Sequence, residues 1–284
     1  MKQKRVAAIH DISCFGKCSL TVALPILSAA GIEATVLPTA VLSTHTGGFT
    51  GYTFRDLTED IRPIEKHWKS IPIAFDAVYS GYLGSFEQLE LVEEFYREFK
   101  GPDTLILTDP VMADNGKLYA SFAPEFPAGM AKLCGKADLI MPNITEATLM
   151  LGEEYPGDEY DRDYIEKLLK KLAELGPSQV VLTGVSFEEG KLGSASYDRR
   201  SGEFGFAFAE KIEGYYHGTG DVYGSALTAA ILRGKPLAEA IGVAVDFTVE
   251  AIRRTKEAGT DIRFGVDFEE SLPNFMKNLG ISAD

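Results

Sequence analysis

Cysteine is scarce in this chain: Cys14, Cys18 and Cys134 are the only three in 284 residues. An odd and sparse set cannot make a disulfide framework, and a reducing, cytoplasmic compartment is expected. Cys14 and Cys18 have no second thiol or histidine pair nearby, which argues against a structural zinc site. Cys14 is expected to be a small buried residue rather than a reactive thiol. No apolar run approaches the roughly 20 residues that span a bilayer. The stretch Val6 to Ile9 is too short for a signal-peptide core, so no membrane partner is expected. Basic residues are also short, 28 Lys and Arg against 42 Asp and Glu, for a formal charge of −14. No segment gathers enough of them to track a phosphate backbone, and nucleic acid is not an expected partner. A chain this acidic needs a local device to hold an anion: backbone N–H groups, a lysine or a metal.

What the chain has is the material of one large core, with 45% apolar and 25% charged residues. Its length suits a single domain over 1–284. Short apolar or β-branched runs at 5–9, 33–37, 76–80, 104–108, 137–141 and 179–183 alternate with amphipathic stretches at 18–30, 56–69, 86–99, 125–134, 144–151 and 161–175. That alternation predicts an α/β fold, a mostly parallel central sheet with helices on both faces. Two period-two runs, 193–197 and 204–209, flank Arg199-Arg200-Ser201-Gly202 and predict a small antiparallel hairpin at one edge. Helices are expected at 222–233 and 237–257, split by Gly234 and Pro236, and a last one at 269–278.

The strongest local signal is Gly218-Thr219-Gly220-Asp221, directly before the predicted helix at 222. Glycines allow a tight turn, and a helix start presents unpaired N–H groups and a positive dipole end, which together suit a phosphate. A carboxylate at that place can take the proton of a hydroxyl as its oxygen attacks a phosphoryl group. The alternative is that Asp221 merely caps the helix. No Walker A loop competes, because the nearest candidate, Gly184 to Lys191, has Leu192 where Ser or Thr is needed. No dinucleotide fingerprint follows the first strand either.

Three other segments belong with this one: Asp109-Pro110-Val111-Met112 and Pro142-Asn143-Ile144-Thr145-Glu146, each after a predicted strand, and Ser80-Gly81-Tyr82-Leu83-Gly84-Ser85. Together, in this order, the four resemble the pyridoxal kinase family of the ribokinase-like superfamily, over about Val6 to Lys256. The resemblance implies a ribokinase-like kinase that takes MgATP. Gly218, Thr219 and Gly220 would form the anion hole, with Asp221 as the base that activates a hydroxymethyl group. Asn143 and Glu146 would organise Mg²⁺ and the nucleotide phosphates, Asp109 would lie near phosphates and metal, and Thr183 would contact the nucleotide. From the residues alone, Asn143 and Glu146 also read as a capping box, and Asp109-Pro110 as a turn. A monovalent cation is left open, and the resemblance implies a homodimer.

The acceptor side is expected from the N-terminal half, where His10 to Ser13 and Ser43 to Gly48 follow the first two strands. His45 and Thr46 match the family's substrate loop, and Tyr82 matches an aromatic residue beside the pyridine ring. Asp11 stands where the commonest bacterial pyridoxal kinases place a Ser that bonds the ring nitrogen. A carboxylate there suits a pyridinium, and equally an aminopyrimidine. The expected reaction is phosphorylation of the 5′-hydroxymethyl of pyridoxal, pyridoxamine or pyridoxine. Hydroxymethylpyrimidine kinase is the alternative, and a non-catalytic B6-binding protein the alternative of another class.

Overall fold

The computed structural model describes residues 3–281. Strands β1 (Arg5–Ser13), β2 (Glu33–Leu42), β3 (Phe54–Asp56), β4 (Ala77–Ser80), β5 (Leu105–Thr108), β6 (Ala113–Asp114), β7 (Lys117–Leu118), β8 (Leu139–Ile140), β9 (Gln179–Val185), β10 (Lys191–Asp198) and β11 (Glu203–Glu210) alternate with helices. These are α1 (Leu20–Ala29), α2 (Thr58–Lys69), α3 (Phe86–Phe99), α4 (Phe126–Cys134), α5 (Ile144–Leu151), α6 (Arg162–Glu174), α7 (Thr219–Leu232), α8 (Leu237–Ala258) and α9 (Leu272–Asn278). Nine strands form one sheet in the order β11-β10-β9-β8-β5-β4-β1-β2-β3, and β6 pairs with β7 apart from it.

The strands from β2 to β9 in that order run parallel, and β3, β10 and β11 are antiparallel additions at the two edges. Side chains leave a strand on alternate faces. Along β4, Val78 therefore enters one core while Ala77 and Tyr79 enter the other. Both faces are buried, which is why these strands read as unbroken apolar runs. Helices α2 to α6 cover the first face, and α1, α7, α8 and α9 the second. On α6, Ile165, Leu168, Leu169 and Leu172 form the buried stripe that the 3.6-residue period requires, and Asp161 caps its start by accepting from the Tyr164 N–H at 2.8 Å. Each such side chain contributes about 1.5–3 kcal/mol on burial. Among the described residues no helix is long and apolar enough to cross a membrane.

The expected strands and the edge hairpin are present, and three local differences have physical causes. Residues 54–56, read partly as helix, form β3, whose side chains are all exposed and so carry no core-facing pattern. The 113–118 segment makes a two-stranded turn too short to show periodicity. Helix α7 begins at Thr219 rather than 222, because Gly218, at φ 76°, takes the cap position and lets the glycine-rich stretch enter the helix. Asp221 is therefore in the first turn and is not the cap.

Strand β1 lies between β2 and β4, so the chain leaves it toward one side and returns on the other. Loops after β1 and β4 part at this point, and they open the crevice at the strand C-terminal edge where ligands bind in open α/β sheets.

Candidate active site

Because their strands are parallel, Asp11, the 43–53 loop, Tyr82, Asp109, Asn143 and Thr183 all reach the same edge, where the start of α7 meets them. The first intrahelical bond of α7 runs from the Val222 N–H to the Gly218 carbonyl, 3.0 Å. Thr219, Gly220 and Asp221 are left with N–H groups that the helix does not use. A Cβ on Gly218 would collide with the Lys17 carbonyl oxygen, whereas one on Gly220 would meet nothing within 4 Å. Gly218 is therefore fixed by its turn and its close approach, and open space lies before Gly220. The Thr219 hydroxyl is turned away, donating to the Tyr216 carbonyl at 3.2 Å.

Asp221 sits in this recess, and burial pushes its carboxyl up to about 7 against the opposing N–H of Ser19, with Asp11 adding to the rise. A carboxylate with that proton affinity beside free N–H groups can accept a proton from an alcohol while the N–H groups hold an anion.

Glu146 and Asn143 form the capping box of α5, with the Asn143 N–H on Glu146 Oε2 and the Glu146 N–H on Asn143 Oδ1, both 2.9 Å. Glu146 Oε1 also accepts the Met112 N–H at 3.1 Å, and Asn143 Nδ2 donates to the Ala113 carbonyl at 2.8 Å. The pair thus ties the segment after Asp109 to the start of α5. Burial drives the Glu146 carboxyl upward despite these N–H donors.

Asp109 differs. Its carboxyl is buried and has no hydrogen-bond partner among the described residues, and burial, then Glu146 and Asp221, holds it well above the carboxylate range. A buried acid in the field of two others, Glu146 and Asp221, fits a hard divalent cation. Mg²⁺ takes one or two carboxylates and fills its other positions with water and phosphate oxygens. Among the described residues no three His, Cys, Asp or Glu side chains converge to hold a metal alone. Thr183 lies beside Asn143 across the β8–β9 ladder, with its N–H on the Pro142 carbonyl at 3.0 Å.

On the N-terminal side, Asp11 is buried and accepts from Ser13 Oγ at 3.0 Å and Ser19 Oγ at 2.6 Å. Burial pushes its carboxyl up, and the two hydroxyls oppose that rise. Both His45 nitrogens are occupied by the chain. Nδ1 accepts from the Gly47 N–H at 3.1 Å, which leaves Nε2 to donate to the Arg263 carbonyl at 2.6 Å. The histidine so predicted for the acceptor loop offers a ligand only its ring and holds the loop in place. Thr46 is exposed, and Tyr82 is half-buried with its ring 5.7 Å from Phe122. Cys14, expected to be buried, is exposed.

Several residues here escaped the sequence reading. His217 packs 5.0 Å from both His45 and Tyr215, between the 43–48 loop and the α7 start. Tyr215 Oη donates to Asp114 Oδ2 at 3.1 Å and bridges to the β6–β7 turn. Ser19 Oγ donates to Asp11 Oδ1 at 2.6 Å. Residues 262–264 form a 3₁₀ turn whose Phe264 carbonyl accepts the Lys17 N–H at 2.9 Å, while Lys17 Nζ bonds Asp267 and Glu269, each at 2.8 Å. Of these, only Ser19 carried a signal, as a polar residue just before a helix.

The phosphomethylpyrimidine kinase family model matches residues 24–264. The chain belongs to this family, of pyridoxal kinase type within the ribokinase-like superfamily. It is 28% identical to a pyridoxal kinase of Pasteurella multocida over 280 residues, 91% of this chain and 88% of that one. A hydroxymethylpyrimidine/phosphomethylpyrimidine kinase of Aquifex aeolicus is 33% identical over 181 residues, 62% of this chain and 68% of the other. Among solved structures, a Bacteroides thetaiotaomicron protein provisionally named a phosphomethylpyrimidine kinase, in a crystal form with pyridoxal, superposes with a TM-score of 0.92 at 38% identity, covering 96% of each chain. Pyridoxal kinase from Lactobacillus plantarum superposes at 0.89 with 30% identity, covering 98% of each. The protein is a phosphotransferase of this family.

Proposed function

We propose that the protein transfers the γ-phosphoryl group of ATP to the 5′-hydroxymethyl of a B6 vitamer, pyridoxal, pyridoxamine or pyridoxine. One observation carries the reading: a carboxyl with a raised proton affinity, Asp221, in the first turn of a helix whose first N–H groups have no intrahelical partner and where a side chain on Gly220 would meet nothing within 4 Å. Asp221 takes the hydroxyl proton as the oxygen attacks. The N–H groups of 219–221, behind the Gly218 turn, hold the phosphoryl oxygens as charge moves onto the bridging atom. Asp109 would hold a divalent cation with help from Glu146, and that ion would neutralise charge between the phosphates. Asn143, Glu146 and Thr183 shape the nucleotide side.

Asp11, Tyr82, Thr46 and the His45 loop form the acceptor side. A buried carboxylate that already takes two hydroxyl donors keeps lone pairs for a protonated ring nitrogen. The Bacteroides structure with pyridoxal, 38% identical over nearly the whole chain, supports the vitamer. Hydroxymethylpyrimidine is the second reading, favoured by the Aquifex relative and by the ability of Asp11 to accept from an aminopyrimidine. ADP release with MgATP is measured across the three vitamers and hydroxymethylpyrimidine. The highest kcat/KM on a vitamer is expected. A preference for hydroxymethylpyrimidine overturns the substrate but keeps the chemistry, and vitamer binding without ADP release leaves only a binding protein.

A further inference from the structure

Gln88 stands three residues after Ser85, the spacing at which a Gln or Glu side chain turns back to accept from the N–H of the cap residue. Half of that arrangement is present, with Ser85 Oγ accepting from the Gln88 N–H at 3.1 Å. The buried Gln88 side chain goes elsewhere. Its Oε1 accepts from the Gly84 N–H at 2.8 Å, while Nε2 donates to the Thr39 carbonyl at 3.1 Å and to Thr58 Oγ1 at 2.9 Å. A main-chain N–H at one end and a main-chain carbonyl at the other fix which way the amide faces. Glutamate would serve the start of α3 equally well, but only an amide can grip all three partners.

These partners sit at the base of both walls of the acceptor side. Gly84 follows Tyr82, and a Cβ placed on it would lie 3.7 Å from Tyr82 Cε1 and 3.8 Å from Gln88 Oε1, so ring and amide close on the same residue. Thr39 is in β2, shortly before the 43–53 loop, and Thr58 opens α2 just after β3 brings that loop back. The Ser43 N–H on the Thr53 carbonyl, 3.1 Å, closes the neck of the loop. In the sheet β1 separates β4 from β2, so the ladder joins the two walls only through the strand that carries Asp11. The Gln88 amide joins them directly. We propose that Gln88 is a positioning residue for the acceptor: its amide sets the span between Tyr82 and the 43–53 loop, and so the fit of an aromatic ring held between them. This role rests on the reading of Tyr82 and that loop as the acceptor side. None of the three segments carries Asp109, Asn143, Glu146 or Asp221, so nucleotide binding should be spared.

Two variants of similar volume separate this role from a structural one. Gln88→Glu keeps the bond from Gly84 but sets a carboxylate against the Thr39 carbonyl, whereas Gln88→Met removes all three bonds. In calorimetry on the full chain, both should bind pyridoxal about tenfold more weakly than the parent, with the Kd for MgATP within about twofold. Loss of the Thr39 side alone releases the span, so the two variants should agree. Hydroxymethylpyrimidine is titrated in parallel, and if the parent prefers it the same ratios are read there. MgATP affinity that falls along with acceptor affinity marks general loosening and overturns the proposal. A parent-like acceptor Kd in either folded variant overturns it as well.

A double-mutant cycle with Tyr82→Ala tests the route. If Gln88 acts through Tyr82, Gln88→Met in the Tyr82→Ala background should change the acceptor Kd by less than about twofold. A full tenfold loss there shows two independent effects and overturns the proposal. Tyr82→Ala alone separates the failures. If it leaves the Kd of both pyridoxal and hydroxymethylpyrimidine unchanged, the reading of Tyr82 as an acceptor contact falls, and the role of Gln88 with it. Weaker binding in Tyr82→Ala beside a parent-like Gln88→Met removes only the role of Gln88.

Discussion

His45 and Arg263, 218 positions apart, are joined by one hydrogen bond of 2.6 Å from the imidazole to a main-chain carbonyl. With the Gly47 N–H on its other nitrogen, the ring is neutral and its tautomer set. His45→Ala cuts both bonds and opens space beneath Gly16, whose Cα lies against the ring. A loss of about 1–3 kcal/mol is expected in denaturant unfolding. The acceptor KM should rise several-fold while kcat changes less, since the loop is loosened and the base is untouched.

Asp221→Asn keeps the shape and removes the proton acceptor. A fall of about 10²–10⁴-fold in kcat is expected, with ATP and vitamer affinities measured by calorimetry close to the parent. Near-normal turnover would falsify the mechanism.

The proton affinity of Asp221 sets a pH dependence. Its carboxyl titrates near 7, so kcat should climb through neutral pH and level off above it. Stability should move the other way. Between the ordinary Asp range, near 4, and about 7 the folded chain holds a proton that the unfolded chain has released. The contribution is thus full below about 4 and lost as pH rises through 7. Melting of the unliganded protein in a buffer series checks the sign for the parent against Asp221→Asn.

Gly218→Ala and Gly220→Ala are expected to differ although they are two residues apart. The first forces a side chain into φ 76° and onto the Lys17 carbonyl, and should cost about 3 kcal/mol or more or move the α7 start. The second places a methyl group in open space. It should leave the melting temperature within a few degrees of the parent while raising the KM for ATP, because the methyl intrudes where the phosphate is to lie. Equal melting losses in the two variants would count against this account of the turn.

Glu146→Gln replaces a carboxylate that accepts N–H donors from both ends of the gap between Met112 and Asn143. The amide nitrogen cannot accept, so at least one donor is orphaned at a cost of about 1–3 kcal/mol. The KM for ATP should rise with it, measured at saturating acceptor.

The parallel core and its hairpin were legible because buried strands write themselves as short apolar runs and covering helices as stripes. Asn143 and Glu146 were legible twice over, as a capping box and as a family motif, and the structure has the box. His45 shows what was not legible: a loop histidine looks the same whether it faces a ligand or a carbonyl more than 200 residues away. Ser19 was hidden for another reason. A serine before a helix predicts a cap, and nothing in composition reports its positive φ of 55°. The turn at 262–264 and the lysine that reaches past it depend wholly on long-range packing.

The order in which the wall of the acceptor side is built has a consequence for the newborn protein. Its loops at 14–17 and 43–48 emerge early, but they lean on Phe264 and Arg263, which leave the ribosome near the end of synthesis. Until then those loops have only one another and β2, through bonds such as Cys14 N–H to the Leu42 carbonyl and the Phe15–Phe49 contact, and lack their C-terminal support. The two ends of the chain thus meet at this wall, and its full set of bonds requires residues made near the end of synthesis.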